Sequence, residues 1–190
     1  MDVFQGDILK LQPAVLLGDE STAYKVVANL PYYITSAVIR HFLEASLKPR
    51  LMVFMVQREV AEAITVEPGR MSLLSTSVQF YGKPEIAGYA PAGCFYPAPE
   101  VDSAVLKIDV YHRPAVAVDD TGSFFRMVRA GFTASRKQIV NSLALGLGLP
   151  KNEVMLLLEE AGIISRRRAE TLALEEWRRL WQVLKEKRKC

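Results

Sequence analysis

The stretch Val26-Val27-Ala28-Asn29-Leu30-Pro31-Tyr32-Tyr33 narrows the folds open to this chain more than any other. It begins as a short apolar run with two β-branched residues, which predicts a buried strand. It stops at a proline, which cannot donate to a strand ladder. Asn29 stands just before the stop and two tyrosines just after it. In a parallel sheet those residues would lie at the carboxyl end of the strand, where open α/β sheets bind ligands. There Asn29 offers an amide oxygen, Leu30 and Pro31 offer carbonyls, and Tyr32 offers a flat face. That set suits a planar base with an exocyclic amine. Taken alone, Asn-x-Pro is also what a strand end and a proline turn look like.

The remaining pattern is mixed and then helical. Asp2 to Leu9 reads as the end of a strand that delivers Asp7 to a loop, although Gly-Asp by itself is simply a turn. Ile34, Ala37, Val38, Phe42 and Leu43 recur at helical spacing, with Arg40 and Glu44 on the other face. Leu51 to Val56 predicts a second buried strand, Val60 to Ile64 a helix, and Pro68-Gly69 a break. Met71 to Phe80 predicts a helix, Glu85 to Tyr89 a strand, and Val101 to Val110 the last strand. The loop Ala90 to Glu100 contains Pro91, Gly93, Pro97 and Pro99, so its backbone is stiff where it carries Phe95.

A boundary is expected near His112 to Asp120, giving units 1–113 and 114–190. Beyond it, stripes at Phe125, Val128 and Phe132, at Val154, Leu157, Leu158 and Ala161, and at Trp177, Leu180, Trp181 and Leu184 predict helices with buried faces. Gly146-Leu147-Gly148 before Pro150 reads as a helix end. At the last helix Ala173 stands at the cap position without a hydroxyl, but Glu176 can still reach back to its N–H. The tail Lys185 to Lys189 reads as a frayed, solvated end.

Composition excludes several classes. Half of the 190 residues are hydrophobic and 24% are charged, enough for a sizeable core and contrary to disorder. The apolar runs are too short for a membrane span, and nothing at the N-terminus reads as a signal peptide. Cys94 and Cys190 lack metal-ligand spacing, so free thiols in a reducing, cytoplasmic setting and no metal are expected. His41 and His112 have no Ser or Cys constellation to serve, which argues against a histidine-based hydrolase. Residues 1–114 hold 10 Lys+Arg against 12 Asp+Glu, and residues 115–190 hold 14 against 9. A basic appendage on a near-neutral half is what a polyanion-binding enzyme shows.

Asn29-Leu30-Pro31-Tyr32 resembles the signature of amino-methylating methyltransferases, in the form used on adenine N6 of RNA. Asn29 to Ser36, Met55 to Glu62, Phe95 to Val105, Ser135 to Lys137 with Asn141, and Arg168 to Glu176 fall in the order seen in KsgA-type small-subunit rRNA adenine dimethyltransferases. The resemblance covers nearly the whole chain. It implies an α/β fold, the C-terminal part of a Rossmann-like methyltransferase sheet, followed by a small all-helical rRNA-binding domain. It implies S-adenosylmethionine as methyl donor, held by Asp7, Ile8 and Asn29. The family's glycine-rich loop and ribose-binding acid would lie upstream of Met1, so the first strands are expected to be missing and activity impaired.

The same resemblance implies catalytic positions at Asn29, Leu30, Pro31, Tyr32 and Phe95, with Tyr32 and Phe95 sandwiching the base and Tyr33 a weaker candidate. It places RNA contacts at Arg136, Lys137, Arg166, Arg167 and Arg168, with Arg126 and Arg129 as additions. The implied substrate is two adjacent adenines in the 3′-terminal hairpin of small-subunit rRNA, within an assembling ribosomal particle. With strands missing, the Asn29 strand is expected to be an open edge through which the chain self-associates. Two other readings are a non-catalytic rRNA-binding or assembly fragment and a large-subunit rRNA adenine methylase conferring antibiotic resistance. The Arg168 to Glu176 stretch argues against the latter.

Overall fold

The computed structural model describes residues 2–18 and 22–187. The chain divides into two compact units, Met1–Thr65 with Ser77–Arg113, and Val66–Thr76 with Pro114–Cys190. The sequence pattern assigned residues 66–76 to the first unit. They belong with the second, where the Gly69 and Met71 N–H groups both donate to the Glu170 carbonyl, at 2.9 and 3.0 Å.

The first unit is built on a sheet of Lys25–Asn29 (β1), Leu51–Gln57 (β2), Gly82–Ala90 (β3) and Ser103–Val110 (β4), in the order β1-β2-β4-β3. β1 and β2 are parallel, and β4 runs antiparallel to both β2 and β3. A short helix α1, Pro13–Leu17, precedes β1, and α2, Thr35–Glu44, connects β1 to β2. Arg58–Ile64 forms α3 directly after β2, while Leu73–Tyr81 forms α4, which spans the division and leads into β3. Strict alternation explains the sheet. Met52, Phe54 and Val56 pair with Ile108, Leu106 and Ala104, and all six are fully buried. The larger of these contribute about 1.5–3 kcal/mol each on burial.

Several expectations change here. β1 is not the buried strand that its apolar run predicts, because it lies at the sheet edge, as the resemblance implied. Val26 and Ala28 share the covered face and are half-buried, but Val27 is 77% exposed. Residues 2–9 form no strand, since no neighbouring ladder pairs with them. Instead Asp7 closes a turn: its Oδ1 accepts the Leu9 N–H at 3.0 Å, and its carbonyl accepts from Lys10 and Leu11. His41 Nε2 meets the Leu11 carbonyl at 2.8 Å. The last strand begins at Ser103, two residues later than expected.

The second unit holds Thr121–Phe132 (α5), Ile139–Leu147 (α6), Lys151–Glu160 (α7) and Leu174–Lys187 (α8). The apolar stripes are its core, with Phe132 half-buried at the margin. Asp120 caps α5 by accepting the Ser123 N–H at 3.0 Å. A Cβ on Gly146 would lie 2.5 Å from the Ala130 Cα, so α5 and α6 cross at backbone distance. Gly148 ends α6 at φ 67°, a conformation that favours glycine. At the start of α8 the Ala173 N–H donates to Glu176 Oε2 at 2.9 Å, the surviving half of the capping box. The Arg167 guanidinium grips the same carboxylate and also donates to Thr171. The C-terminal end is not frayed as far as Lys187: Lys185 pairs with Asp119, and Lys187 with Glu160 at 2.8 Å. Arg188, Lys189 and Cys190 lie outside the described residues. Among those described, no helix is long and apolar enough to cross a membrane.

Gly146→Ala should destabilise the chain by about 1–3 kcal/mol, because the obstacle is backbone rather than a flexible side chain. A denaturant titration measures it, and unchanged stability would mean that the helices can separate freely. A second expectation concerns pH. Burial opposes ionisation of Glu176, but the Arg167 guanidinium and the Ala173 N–H outweigh it and hold the carboxyl below its ordinary range. A depressed folded value means stabilisation present above the unfolded value of about 4.3 and lost as pH falls through the folded one. Glu176→Gln should therefore lower the melting temperature at neutral pH and flatten its decline in acid.

Candidate functional site

Strand register gathers four chain segments at one end of the sheet in the first unit. Gln57, the last residue of β2, pairs with Ser103, the first of β4. Ser103 pairs on its other side with Ala90, the last residue of β3. β1 ends at Asn29, paired with Met55 two residues before Gln57. The loops carrying the Asn29 motif and Phe95 therefore leave from the same end.

Asn29 is exposed, and Leu30 is buried and anchors the exit from β1. Pro31 then stops the strand at φ −58° and ψ 130°, and its carbonyl accepts the Ile34 N–H at 3.1 Å. Tyr32 is half-buried and its hydroxyl pairs with Ser103 Oγ at 2.8 Å. Tyr33, the weaker candidate, is 88% exposed.

The Phe95 loop is tied down next to that contact. The Ala92 N–H donates to Asp102 Oδ1 at 3.0 Å and opens a 3-10 turn over Ala92–Cys94, after which Phe95 follows half-buried. The Arg58 N–H donates to the Asp102 carbonyl at 2.9 Å. The Arg58 side chain hydrogen-bonds Glu62 at 2.8 Å and lies over the Tyr89 ring, 5.1 Å from its centroid. Its bond and charge interaction with Glu62 raise its pKa, so it stays cationic. Asp102, Ser103 and Arg58 fall within the motifs that carry the resemblance, but periodicity gave none of them a part at this end.

Asp7 keeps its carboxylate half-exposed while closing its turn, and Ile8 beside it is half-buried. The second Asp7 carboxylate oxygen lies 3.9 Å from Lys10 Nζ. The one Gly-x-Gly, at Gly146 and Gly148, ends α6 as expected.

In the second unit two basic segments thirty residues apart are brought together. Arg136 and Lys137 are exposed in the turn after α5, and the Ile139 N–H beyond them donates to the Arg167 carbonyl at 2.7 Å. Arg166 and Arg168 are exposed on either side, Arg168 lying 3.5 Å from Glu170. Arg167 differs: its guanidinium is engaged by Glu176 and Thr171. It braces the unit from within, and its expected RNA contact would have to compete with the bonds its Nε–H and Nη2 hydrogens already make. Arg70 was missed. It is exposed between Gly69 and Met71, whose N–H groups bind the Glu170 carbonyl beside Arg168.

Comparison with known proteins fits this arrangement. The ribosomal RNA adenine dimethylase family profile matches residues 1–186. The chain is 50% identical over 184 residues to the ribosomal RNA small subunit methyltransferase A of Dehalococcoides mccartyi strain 195, covering 97% of this chain and 63% of that protein. It is 40% identical over 188 residues to the protein of that name from Enterococcus faecalis, again covering 63% of it. Among solved structures, the 23S rRNA methyltransferase ErmE matches with a TM-score of 0.68 at 26% identity, over 94% of this chain and 70% of that one. A dimethyladenosine transferase from Plasmodium falciparum matches with a TM-score of 0.78 over 98% and 73%, and at 20% identity it supports the fold alone. The chain thus spans about 63% of the length of these curated relatives, and it belongs to the ribosomal RNA adenine dimethylase family.

Proposed function

We propose that this chain carries the target-base side and the RNA-binding face of an S-adenosylmethionine-dependent rRNA adenine N6,N6-dimethyltransferase. Its substrate would be two adjacent adenines in the 3′-terminal hairpin of small-subunit rRNA, in the cytoplasm, within an assembling ribosomal particle. The observation that carries this reading is the convergence of Asn29-Leu30-Pro31-Tyr32 with the Phe95 loop at one end of the sheet. The family match and the similarity to a named small-subunit methyltransferase support the substrate class.

The N6 lone pair of adenine is delocalised into its ring, so the amine is a poor nucleophile. Acceptors for both amine hydrogens, the Asn29 amide oxygen and the Leu30 carbonyl, favour a pyramidal nitrogen with its lone pair free. Such a site needs orientation and fixed dipoles rather than a general base. Tyr32 and Phe95 provide faces for a base that has left its stack, each worth about 1–3 kcal/mol. S-adenosylmethionine supplies the methyl group when bound, and Asp7, Ile8 and Asn29 are the residues of this chain that would hold it. Arg136, Lys137, Arg166, Arg168 and Arg70 form the phosphate-facing set, with Arg126 and Arg129 exposed on α5. The edge of β1, where Val27 is exposed, is where the chain would pair with a second copy if nothing else covers it.

Two measurements test this. In the chain extended to the length of its curated relatives, Asn29→Ala should lower the single-turnover rate by about 100-fold. Arg136→Ala should leave that rate intact at saturation and reduce the salt slope of RNA binding by about one. A near-normal rate for Asn29→Ala would refute the site. By calorimetry, the present chain should bind S-adenosylmethionine several hundred-fold more weakly than the extended one. Charge-assisted hydrogen bonds of about 1.5–3 kcal/mol each, made by the remainder, account for that.

A further inference from the structure

We infer that Asp102 and Ser103 are positioning residues that together set the placement of both aromatic faces of the base site, Tyr32 and Phe95. The inference rests on the function proposed above. An aromatic ring used for stacking is useful only if its plane is held, and Tyr32 rotates about two side-chain bonds. The contact that anchors its far end is the 2.8 Å hydrogen bond between its hydroxyl and Ser103 Oγ. Ser103 is fully buried and has a ladder on each side, Gln57 of β2 and Ala90 of β3, so its hydroxyl has a fixed origin.

Asp102 does the same for the other face. One carboxylate oxygen holds the Ala92 N–H at 3.0 Å, at the start of the turn whose end presents Phe95. Its carbonyl holds the first N–H of α3, at Arg58, and its second carboxylate oxygen lies 3.9 Å from the Arg58 guanidinium. Two consecutive residues of one rigid strand end therefore tie down two loops that are sixty residues apart in the chain. The Phe95 loop is also braced by its own turn, in which the Cys94 and Phe95 N–H groups donate to Pro91 and Ala92. Asp102 sets where that turn sits rather than whether it forms.

The two side chains touch neither reacting atom. Their loss should slow the chemical step while leaving RNA affinity near the starting value, and Tyr32→Phe, which leaves the buried Ser103 hydroxyl unpaired, should lower the melting temperature modestly. In the chain extended to the length of its relatives, with rRNA particles as substrate, Ser103→Ala and Tyr32→Phe should each lower the single-turnover rate about five- to tenfold, as expected for one neutral hydrogen bond. The double variant should be no slower than either single one, because both remove the same bond. Ser103→Thr, which keeps the hydroxyl, should restore the rate. Asp102→Ala should cost a similar factor, and its effect should multiply with that of Ser103→Ala because the two side chains hold different loops. Tyr32→Ala serves as the reference. If it is crippled while Ser103→Ala, Tyr32→Phe and Asp102→Ala run at the normal rate, the base site stands and this inference is overturned. If Tyr32→Ala itself runs normally, the base site falls and the inference with it.

Discussion

Strand β4 runs antiparallel between β2 and β3, and its two ladders decide what stands at the working end of the sheet. Side chains alternate along a strand, so a slip of one residue would exchange its two faces. Ala104, Leu106 and Ile108 would leave the core, and Lys107 and Asp109 would enter it. Lys107 pairs with Asp109 at 3.0 Å, so the slip would carry the ion pair into the core together, and desolvating it costs several kcal/mol. The core of the first unit therefore enforces the register that places Ser103 beside both Gln57 and Ala90. The contact with Tyr32 follows from a hydrophobic constraint several residues away.

Much of the geometry around Asn29 was legible in the sequence because it is local. The apolar run, the proline stop and the two tyrosines occur within eight residues, and the structure keeps them as a strand end and a tight turn. The apolar run of β1 by itself reads as a buried strand, and its place as an open edge was expected only from the family resemblance, since exposure depends on how many strands lie beyond it. The stretch from Asp2 to Leu9 failed as a strand for the same reason. Its composition permits an extended chain, but a strand exists only where another completes its ladder.

The helical unit is the converse case. Its stripes at Val154, Leu157 and Leu158 and at Trp177, Leu180, Trp181 and Leu184 are buried as their spacing predicts. Individual arginines could not be sorted by spacing. Arg166, Arg167 and Arg168 are chemically identical in the sequence, and only the geometry of the α8 start separates the middle one from its neighbours. The grouping of 66–76 with the helices was equally hidden, because it rests on two backbone bonds to Glu170 that carry no side-chain signature.

The brace at Arg167 has a practical consequence for dissection of this surface. A scan that replaces the three arginines one at a time treats them as equivalent sources of affinity. The central replacement would unpair a partly buried carboxylate and loosen the start of α8, so the population of folded protein would shrink before any phosphate contact was lost. Its phenotype would look like the others in a binding assay at one temperature and separate from them on cooling. Temperature, rather than sequence position, is the variable that tells an internal fastener from a docking residue here.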